Sequence, residues 1–238
     1  MPASRSAARK RLIQAGHQLS AVDPSMAGLV ATFGLAQLAR PSVPKPAPLI
    51  DFPDRSHMVE EGESGVFFEA LVTSVVHQQL AGAAAQAIGS RLVAALGGRI
   101  TAQAVMRAGH DELRSVGLSG SKAATLLGLA EAVGGASLDL GAMGPVGEEV
   151  VTEQLCRLRG IGPWTAQMFC LFTLGYLDVW PVTDLGVRKG YALAHGLDSL
   201  PSPVELMQLG ELYRPYRSVA AWYLWRAADG PRPNPPPD

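Results

Sequence analysis

The sequence predicts an all-α fold. Its apolar residues recur with the spacing of helices, and almost no stretch alternates between apolar and polar side chains as a half-buried strand would. Glycine and proline divide the apolar segments into about ten pieces of helix length. The chain has 238 residues, 47% hydrophobic and 17% charged, so it can bury a sizeable core as one domain or as two lobes.

Two helices are predicted before residue 40. The first covers residues 7–19, and the second runs to Ala39 from Asp23 as N-cap and Pro24 as first helical residue. Residues 41–56 contain too many prolines for a helix or a central strand, which indicates an extended connector.

The middle of the chain is predicted to contain the main core helix. Phe67, Leu71 and Val75 belong to a strong apolar face that ends near His77. Five further helices are expected after it. The first covers 83–96 and ends at Gly97-Gly98, and two short ones cover 101–108 and 111–116. The fourth opens at the turn 117–122 and runs to 133, and the fifth covers 145–158 and begins at Pro145.

A helix-hairpin-helix is predicted around the turn G-I-G-P at 160–163. Gly160 and Gly162 can take backbone angles closed to other residues, and Pro163 suits a first helical turn. Outward-facing N–H groups at such a helix start can bind a phosphate. Asp184 follows, just before another helix, where a carboxylate serves equally as an N-cap or as a functional acid.

The C-terminal part is predicted to hold two more helices and a tail. Ser202 and Glu205 form a capping-box pattern, and Pro215 allows a last helix over 216–228. The proline-rich residues that follow are expected to be disordered.

Composition narrows the function classes. Because the net charge is -1, the chain could bind nucleic acid only through a face that is locally basic. Cys156 and Cys170 are too few for a disulfide framework or a four-cysteine cluster, which favours a reducing cytoplasm. No apolar run predicts a membrane span, and no signal peptide is predicted at the N-terminus.

Several motifs carry a family resemblance. L-R-G-I-G-P-W-T-A followed by W-P-V-T-D-L-G-V-R-K resembles the helix-hairpin-helix and Gly/Pro...Asp (HhH-GPD) motif of the DNA glycosylase superfamily. F-F-E-A-L-V-T-S-V-V-H-Q-Q-L, G-L-S-G-S-K-A and R-P-Y-R-S-V-A-A-W-Y-L-W are similar to 3-methyladenine DNA glycosylase II. The match runs in order over residues 20–228, and the chain resembles a compact form without the N-terminal β-containing domain.

The resemblance implies a single HhH-GPD domain over 1–238, made of two helical lobes with a DNA-binding cleft between them. The lobe bounds expected are 20–62 with 200–229 for lobe A and 63–199 for lobe B, with 1–6 and 230–238 disordered. The implied activity is that of a monofunctional DNA glycosylase in base excision repair. It would flip alkylated purines of the 3-methyladenine and 7-methylguanine type out of double-stranded DNA and hydrolyse their N-glycosidic bond. The protein is expected to be a monomer, cytoplasmic or nucleoid-associated, with no membrane partner.

Two alternatives stay open at this point. One is a glycosylase of the same fold that acts on another lesion, such as ethenoadenine or an oxidised base. The other is a non-catalytic damaged-DNA-binding protein that uses the hairpin. Met168 and Leu185 stand where some relatives have tyrosines, which leaves the lesion range open.

The resemblance also implies roles for single residues, with Asp184 as the catalytic acid. The implied base pocket comprises Trp164, Trp225, Phe169 and Trp222; the DNA wedge is Gln79, with Leu80 and Gln78 beside it; and the phosphate contacts are Gly160, Gly162, Trp164 and Thr165. Lys122 is either a second phosphate contact or a solvated lysine. Trp164 occupies the position of the lysine that forms a Schiff base in bifunctional relatives, so no lyase activity is expected.

No cofactor is expected to be required. An iron-sulfur cluster of the kind found in some relatives needs four cysteines, and this chain has two. The resemblance does imply a structural monovalent cation, Na⁺ or K⁺, at the hairpin. Its ligands would be the carbonyl oxygens of Cys156, Arg159 and Ile161.

Overall fold

The computed structural model describes residues 5–36, 38, 62–80 and 82–230, and in these residues it contains eleven α-helices and no strand, which confirms the all-α prediction. The helices are α1 Arg5–Val22, α2 Pro24–Phe33, α3 Gly62–His77, α4 Gly82–Ala95, α5 Ala102–Ser115, α6 Gly120–Gly134, α7 Glu148–Cys156, α8 Pro163–Met168, α9 Leu185–His195, α10 Pro203–Leu209 and α11 Arg217–Asp229. A π-helical segment, Phe169–Leu174, continues α8. No helix in the described ranges is long and apolar enough to cross a membrane.

Several predicted helix limits hold and two are wrong. Gly34 has φ 68° and ends α2 at Phe33, well before the predicted Ala39. Gly147, with φ 92°, precedes α7, which therefore begins at Glu148 and not at Pro145. The break predicted between 108 and 111 is confirmed, because Gly109 has a non-helical backbone inside α5. The predicted connector at 41–56 lies outside the described residues, as do residues 1–4 and 231–238 of the disorder predicted at 1–6 and 230–238. Residues 5 and 6 of the first range belong to α1.

The chain forms two compact units. Unit 1 combines Met1–Leu38 with Tyr176–Asp238, and unit 2 is Ala39–Gly175. Residues 176–199 thus belong with the terminal segments, whereas the lobe bounds expected from the resemblance place them in lobe B. The physical reason is the close crossing of α9 and α11, where a Cβ on Gly190 would collide with the Leu224 carbonyl.

Unit 1 is held together by a buried carboxylate. Asp23 caps α2 through the N–H of Ser25 at 2.8 Å, as predicted. It also accepts hydrogen bonds from the Tyr213 hydroxyl at 2.6 Å and from the His195 ring at 2.9 Å. The His195 ring lies stacked on that of Tyr191, with 3.9 Å between centroids. A residue predicted only as a helix cap therefore joins three distant segments of the chain.

The environment of Asp23 predicts acid sensitivity. Burial alone would raise the pKa of Asp23, but the hydrogen bonds from Tyr213, His195 and Ser25 outweigh it and hold the pKa below its usual 3.8. Stability from the ionised group is therefore present above pH 3.8 and is lost as the pH falls through the lowered value. Asp23→Asn should cost about 2 kcal/mol of unfolding free energy at neutral pH.

Urea unfolding of wild type and Asp23→Asn at neutral pH and below pH 3.8 measures this effect. The gap between the two proteins should narrow in acid, because the wild type then loses the same contribution. Asp111→Asn is the matched control, since the Asp111 side chain is fully exposed. A gap that stays constant over the whole pH range would contradict the assignment.

Candidate functional site

One carboxylate in unit 1 is held by two donors. Asp184 is the N-cap of α9, and its Oδ1 accepts the Val187 N–H at 2.8 Å and the Trp225 indole N–H at 2.8 Å. Gly186 makes room for this arrangement, because a Cβ there would lie 2.7 Å from Cδ1 of Trp225. The predicted cap is confirmed, and a buried indole on α11 adds a second constraint on the carboxylate.

The segment before Asp184 is also fixed. The N–H groups of Val182 and Asp184 donate to the carbonyls of Trp180 and Pro181, which closes a compact turn. The Trp180 indole is 4% exposed and donates to the Leu206 carbonyl at 2.8 Å. The carboxylate therefore follows an anchored turn, and no flexible loop carries it.

A partly buried ion pair positions the start of α11, the helix that carries Trp225. The Arg217 guanidinium binds both carboxylate oxygens of Asp178, at 2.8 and 3.0 Å. The Ser218 hydroxyl donates to the Tyr176 carbonyl at 2.7 Å and accepts the Val179 N–H at 2.9 Å. Such fork geometry adds orientation as well as energy, so α11 is held in register with the segment that leads to Asp184.

The predicted pocket tryptophans of unit 1 are buried. Trp225 is 6% exposed and directs its indole N–H at Asp184. Trp222 is 9% exposed, packs edge-on against Tyr223 and lies 5.9 Å from the Arg226 guanidinium. The ring of Trp222 therefore packs within unit 1, and its pocket role, like that of Trp225, stays a prediction.

Unit 2 contains the predicted helix-hairpin-helix, formed by α7, residues 157–162 and α8. Gly160 has φ 89°, and a Cβ on it would collide with the Thr125 hydroxyl of α6, so glycine is required there. Gly162 has φ -98° and open space around it, so it does not use the backbone freedom that glycine allows. Pro163 is the first residue of α8, as predicted, and Gly162 supplies no side-chain cap.

The aromatic residues of the hairpin differ in exposure. Trp164, in the first turn of α8, is 39% exposed. Phe169 is fully buried and packs edge-on against Phe67 with 5.8 Å between ring centroids. Phe169 thus packs in the core of unit 2, and its base-pocket role stays a prediction. Thr165 is 3% exposed, and its predicted phosphate contact stays a prediction.

The turn after α3 contains the three residues of the predicted wedge. Gln78 donates from Nε2 to the Gly160 carbonyl at 3.2 Å and to the Thr165 hydroxyl at 3.1 Å. Gln79 is exposed and has φ 56°, which is uncommon for a residue other than glycine. Leu80 is 38% exposed. Gln78 is thus engaged with the hairpin, which leaves Gln79 and Leu80 as the exposed side chains of this turn.

Lys122 belongs to the same cluster. Its ammonium donates to the carbonyls of Val76 at 2.8 Å and Gln78 at 2.7 Å, at the C-terminus of α3. Partial burial lowers the pKa of Lys122. Lys122 is therefore not a solvated lysine, because its ammonium caps the end of α3, and its role as a phosphate contact stays a prediction.

The cation predicted at the hairpin would be held by backbone carbonyls. The N–H groups of Leu158 and Ile161 donate to the oxygens of Leu155 and Leu158, so these bonds do not use the three carbonyls predicted as ligands. The described residues contain no group of three or more His, Cys, Asp or Glu side chains that could hold a metal ion. Carbonyl oxygens are ligands suited to a hard monovalent cation rather than to a transition metal.

Sequence reasoning missed the residues that position the site. Gly186 and Gly190 lie four apart on α9 and face α11, a spacing that could have indicated a close helix crossing. Asp178 and its partner Arg217 are 39 residues apart, and no local pattern predicts that pairing.

The chain was compared with known proteins. Residues 72–215 match the family described as HhH-GPD superfamily base excision DNA repair protein. DNA-3-methyladenine glycosylase 1 of Schizosaccharomyces pombe is 33% identical over 164 residues, covering 68% of this chain and 72% of that protein.

Two solved structures are similar to this one. The 3-methyladenine DNA glycosylase of Schizosaccharomyces pombe in complex with abasic DNA superposes with a TM-score of 0.71 at 30% identity, covering 89% of this chain and 95% of that one. A DNA-3-methyladenine glycosidase from Bacillus halodurans gives a TM-score of 0.73 at 30% identity, over 90% and 88% of the two chains. With the hairpin, the capped carboxylate and these matches together, the chain belongs to the HhH-GPD superfamily of base excision DNA repair proteins.

Proposed function

We propose that this protein is a monofunctional DNA glycosylase that hydrolyses the N-glycosidic bond of alkylated purines, of the 3-methyladenine and 7-methylguanine type, in double-stranded DNA. The observation that carries the proposal is the Asp184 carboxylate, held by the Val187 N–H and the Trp225 indole in a chain of this family. The names of the relatives support the substrate class.

Asp184 is the proposed catalytic group. Loss of the base leaves positive charge on the sugar, in a transition state that resembles an oxocarbenium ion. A carboxylate fixed beforehand stabilises that charge without reorganising, and it can orient the water that attacks the sugar carbon. The cap bond and the indole bond both go to Oδ1, so they set the orientation of the whole carboxylate plane.

The hairpin is the proposed phosphate grip. Its contacts would come from the backbone N–H groups of Gly160, Gly162, Trp164 and Thr165, which read no sequence and therefore suit an enzyme that searches all DNA. A monovalent cation on the carbonyls of Cys156, Arg159 and Ile161 would neutralise part of the phosphate charge. Both features support binding to duplex DNA despite a net charge of -1.

Base selection is proposed to depend on the lesion as much as on the protein. An exposed face of Trp164 can receive a cationic alkylated purine, a contact that is worth about 2 kcal/mol when desolvated. That corresponds to about thirtyfold in binding, which is too little to exclude the excess of normal bases. The positive charge of the lesion also weakens its pairing and makes it a better leaving group, and extrusion is least costly for such a base.

Lyase activity is expected to be absent. Trp164 follows Pro163 in α8, and an indole has no amine with which to form a Schiff base with the opened sugar. Borohydride added during turnover should therefore trap no covalent protein-DNA adduct, and the product should keep an intact strand at the abasic site. Trapping in the wild type would overturn the monofunctional assignment, and its loss in Lys122→Met or Lys189→Met would identify the amine that forms the adduct.

One assay tests the proposed activity. The protein is incubated with methylated genomic DNA and with duplexes that carry a single lesion, and freed bases are separated by chromatography. Released 3-methyladenine or 7-methylguanine supports the proposal. Release of ethenoadenine or an oxidised base alone would redirect it to another lesion, and binding without any freed base would favour the non-catalytic alternative.

We further propose that the protein acts as a monomer in the cytoplasm, or on the nucleoid in a bacterium. Cys156 and Cys170 are both free thiols, which is compatible with a reducing compartment. Size-exclusion chromatography with light scattering measures the oligomeric state.

A further inference from the structure

A cluster in unit 2 joins the end of α3, the start of α6 and the hairpin. The Lys122 ammonium, from the first turn of α6, donates to the Val76 and Gln78 carbonyls at the end of α3. The Gln78 side chain donates in turn to the Gly160 carbonyl and the Thr165 hydroxyl of the hairpin. The exposed turn after α3 is thereby connected to α6 on one side and to the phosphate-binding hairpin on the other.

The placement of Lys122 is costly for its own helix. Ser119 caps α6 through the Lys122 N–H, so Lys122 is the third residue of that helix. The helix dipole disfavours a positively charged residue in this first turn. The same cation lies at the C-terminus of α3, a 16-residue helix, where the dipole favours it. The charge of Lys122 therefore stabilises the end of α3 and not its own helix, α6.

The end of α3 needs such a partner because its backbone departs from helical geometry there. Gln79 has φ 56°, in the left-handed region that costs a residue with a side chain about 1 kcal/mol or more. The Gln78 carbonyl that precedes this residue is the closer of the two oxygens bound by Lys122. Holding that carbonyl fixes the peptide plane before Gln79 and so selects the direction in which the Gln79 side chain leaves the turn.

We propose that Lys122 is a positioning residue for duplex opening: by binding the end of α3, it holds the exposed Gln79 where it can fill the gap left by an extruded base. This inference rests on the proposed glycosylase activity. In this role Lys122 itself makes no contact with DNA, so the effect of replacing Lys122 should depend on whether the lesion is paired. Extrusion costs a few kcal/mol for a paired base and less for an unpaired one.

The experiment measures single-turnover base release for one lesion in two duplexes, paired with a normal partner and facing an abasic-site analogue. Lys122→Met, which keeps an unbranched chain and removes the charge, should lower the paired-to-unpaired rate ratio about tenfold, with the unpaired rate near that of wild type. Lys10→Met removes the same charge from an exposed position of α1 and should keep the wild-type ratio. Fluorescence of 2-aminopurine at the lesion position reports extrusion directly, without any chemistry.

A second variant keeps the test decisive if Lys122→Met is unstable. Gln79→Gly tolerates the left-handed backbone and removes the side chain, so it should lower the same ratio. In the double variant the two effects should not add, because Lys122 acts through Gln79. An unchanged ratio in Gln79→Gly, equal losses on both duplexes in Lys122→Met, or additive effects would each overturn the inference. If the wild type releases no base from either duplex, the proposed function fails, and 2-aminopurine fluorescence still tests the inference.

Discussion

Asp184→Asn should lower single-turnover release of an alkylated purine by at least about a hundredfold while leaving the fold intact. The amide oxygen of Asn can accept the same hydrogen bonds from Val187 and Trp225 that Oδ1 of the carboxylate accepts. Asn is also as good an N-cap as Asp, so α9 should keep its start. What the substitution removes is the negative charge that stabilises the sugar in the transition state.

A second variant is needed to separate the loss of the helix cap from the loss of the negative charge. Asp184→Ala loses both, so it should be as inactive as Asp184→Asn and less stable by about 1 kcal/mol. Rates are measured by chromatography of the freed base, stability by urea unfolding, and DNA binding by fluorescence anisotropy. Base release within about threefold of wild type in Asp184→Asn, a difference of less than 1 kcal/mol in barrier height, would remove Asp184 from the mechanism.

Gly160→Ala should destabilise unit 2 by about 3 kcal/mol and weaken DNA binding. Two effects combine at this position. The backbone has φ 89°, which an alanine adopts only with strain, and the added Cβ would collide with the Thr125 hydroxyl of α6. Neither can be relieved locally, because Thr125 is buried and its hydroxyl donates to the Ser121 carbonyl at 2.9 Å. The hairpin must therefore move away from α6.

Gly162→Ala is the matched control two residues further on. Gly162 has φ -98° and no heavy atom near its Cβ position, so this variant should keep its unfolding free energy within about 0.5 kcal/mol of wild type. Combining Gly160→Ala with Thr125→Ala should recover part of the loss, namely the part due to the collision. Equal stability of Gly160→Ala and Gly162→Ala would show that the hairpin does not depend on this contact.

Much of the fold could be predicted because its signals are local. Proline and glycine divide the chain, and side chains such as Ser202 cap helices within three residues, so the all-α class, the helix-hairpin-helix and most helix starts follow from short segments. The two wrong helix limits lie where a single glycine decides where the helix begins or ends. Gly34 and Gly147 take positive φ in the structure, and sequence alone does not say which glycines will do so.

The candidate site was predictable to a lesser degree. The motif located Asp184, Trp164 and the hairpin, but it did not show that Phe169 and Trp222 are buried in the structure. A tryptophan or phenylalanine at helical spacing looks the same whether its ring faces a ligand or a core. Their environment depends on which helix packs against them, and that is not encoded in the local pattern.

By itself the sequence determined the helices, the hairpin and the capping carboxylate, since each depends on interactions between residues close along the chain. Only the tertiary structure decided what holds these parts in place: the Trp225 indole on Asp184, the Arg217 and Asp178 pair, and the Lys122 ammonium at the end of α3. Those partners are 39 to 46 residues apart. A contact over such separations forms only when close packing of the helices brings the two groups together, and residues near either group in sequence carry no sign of it.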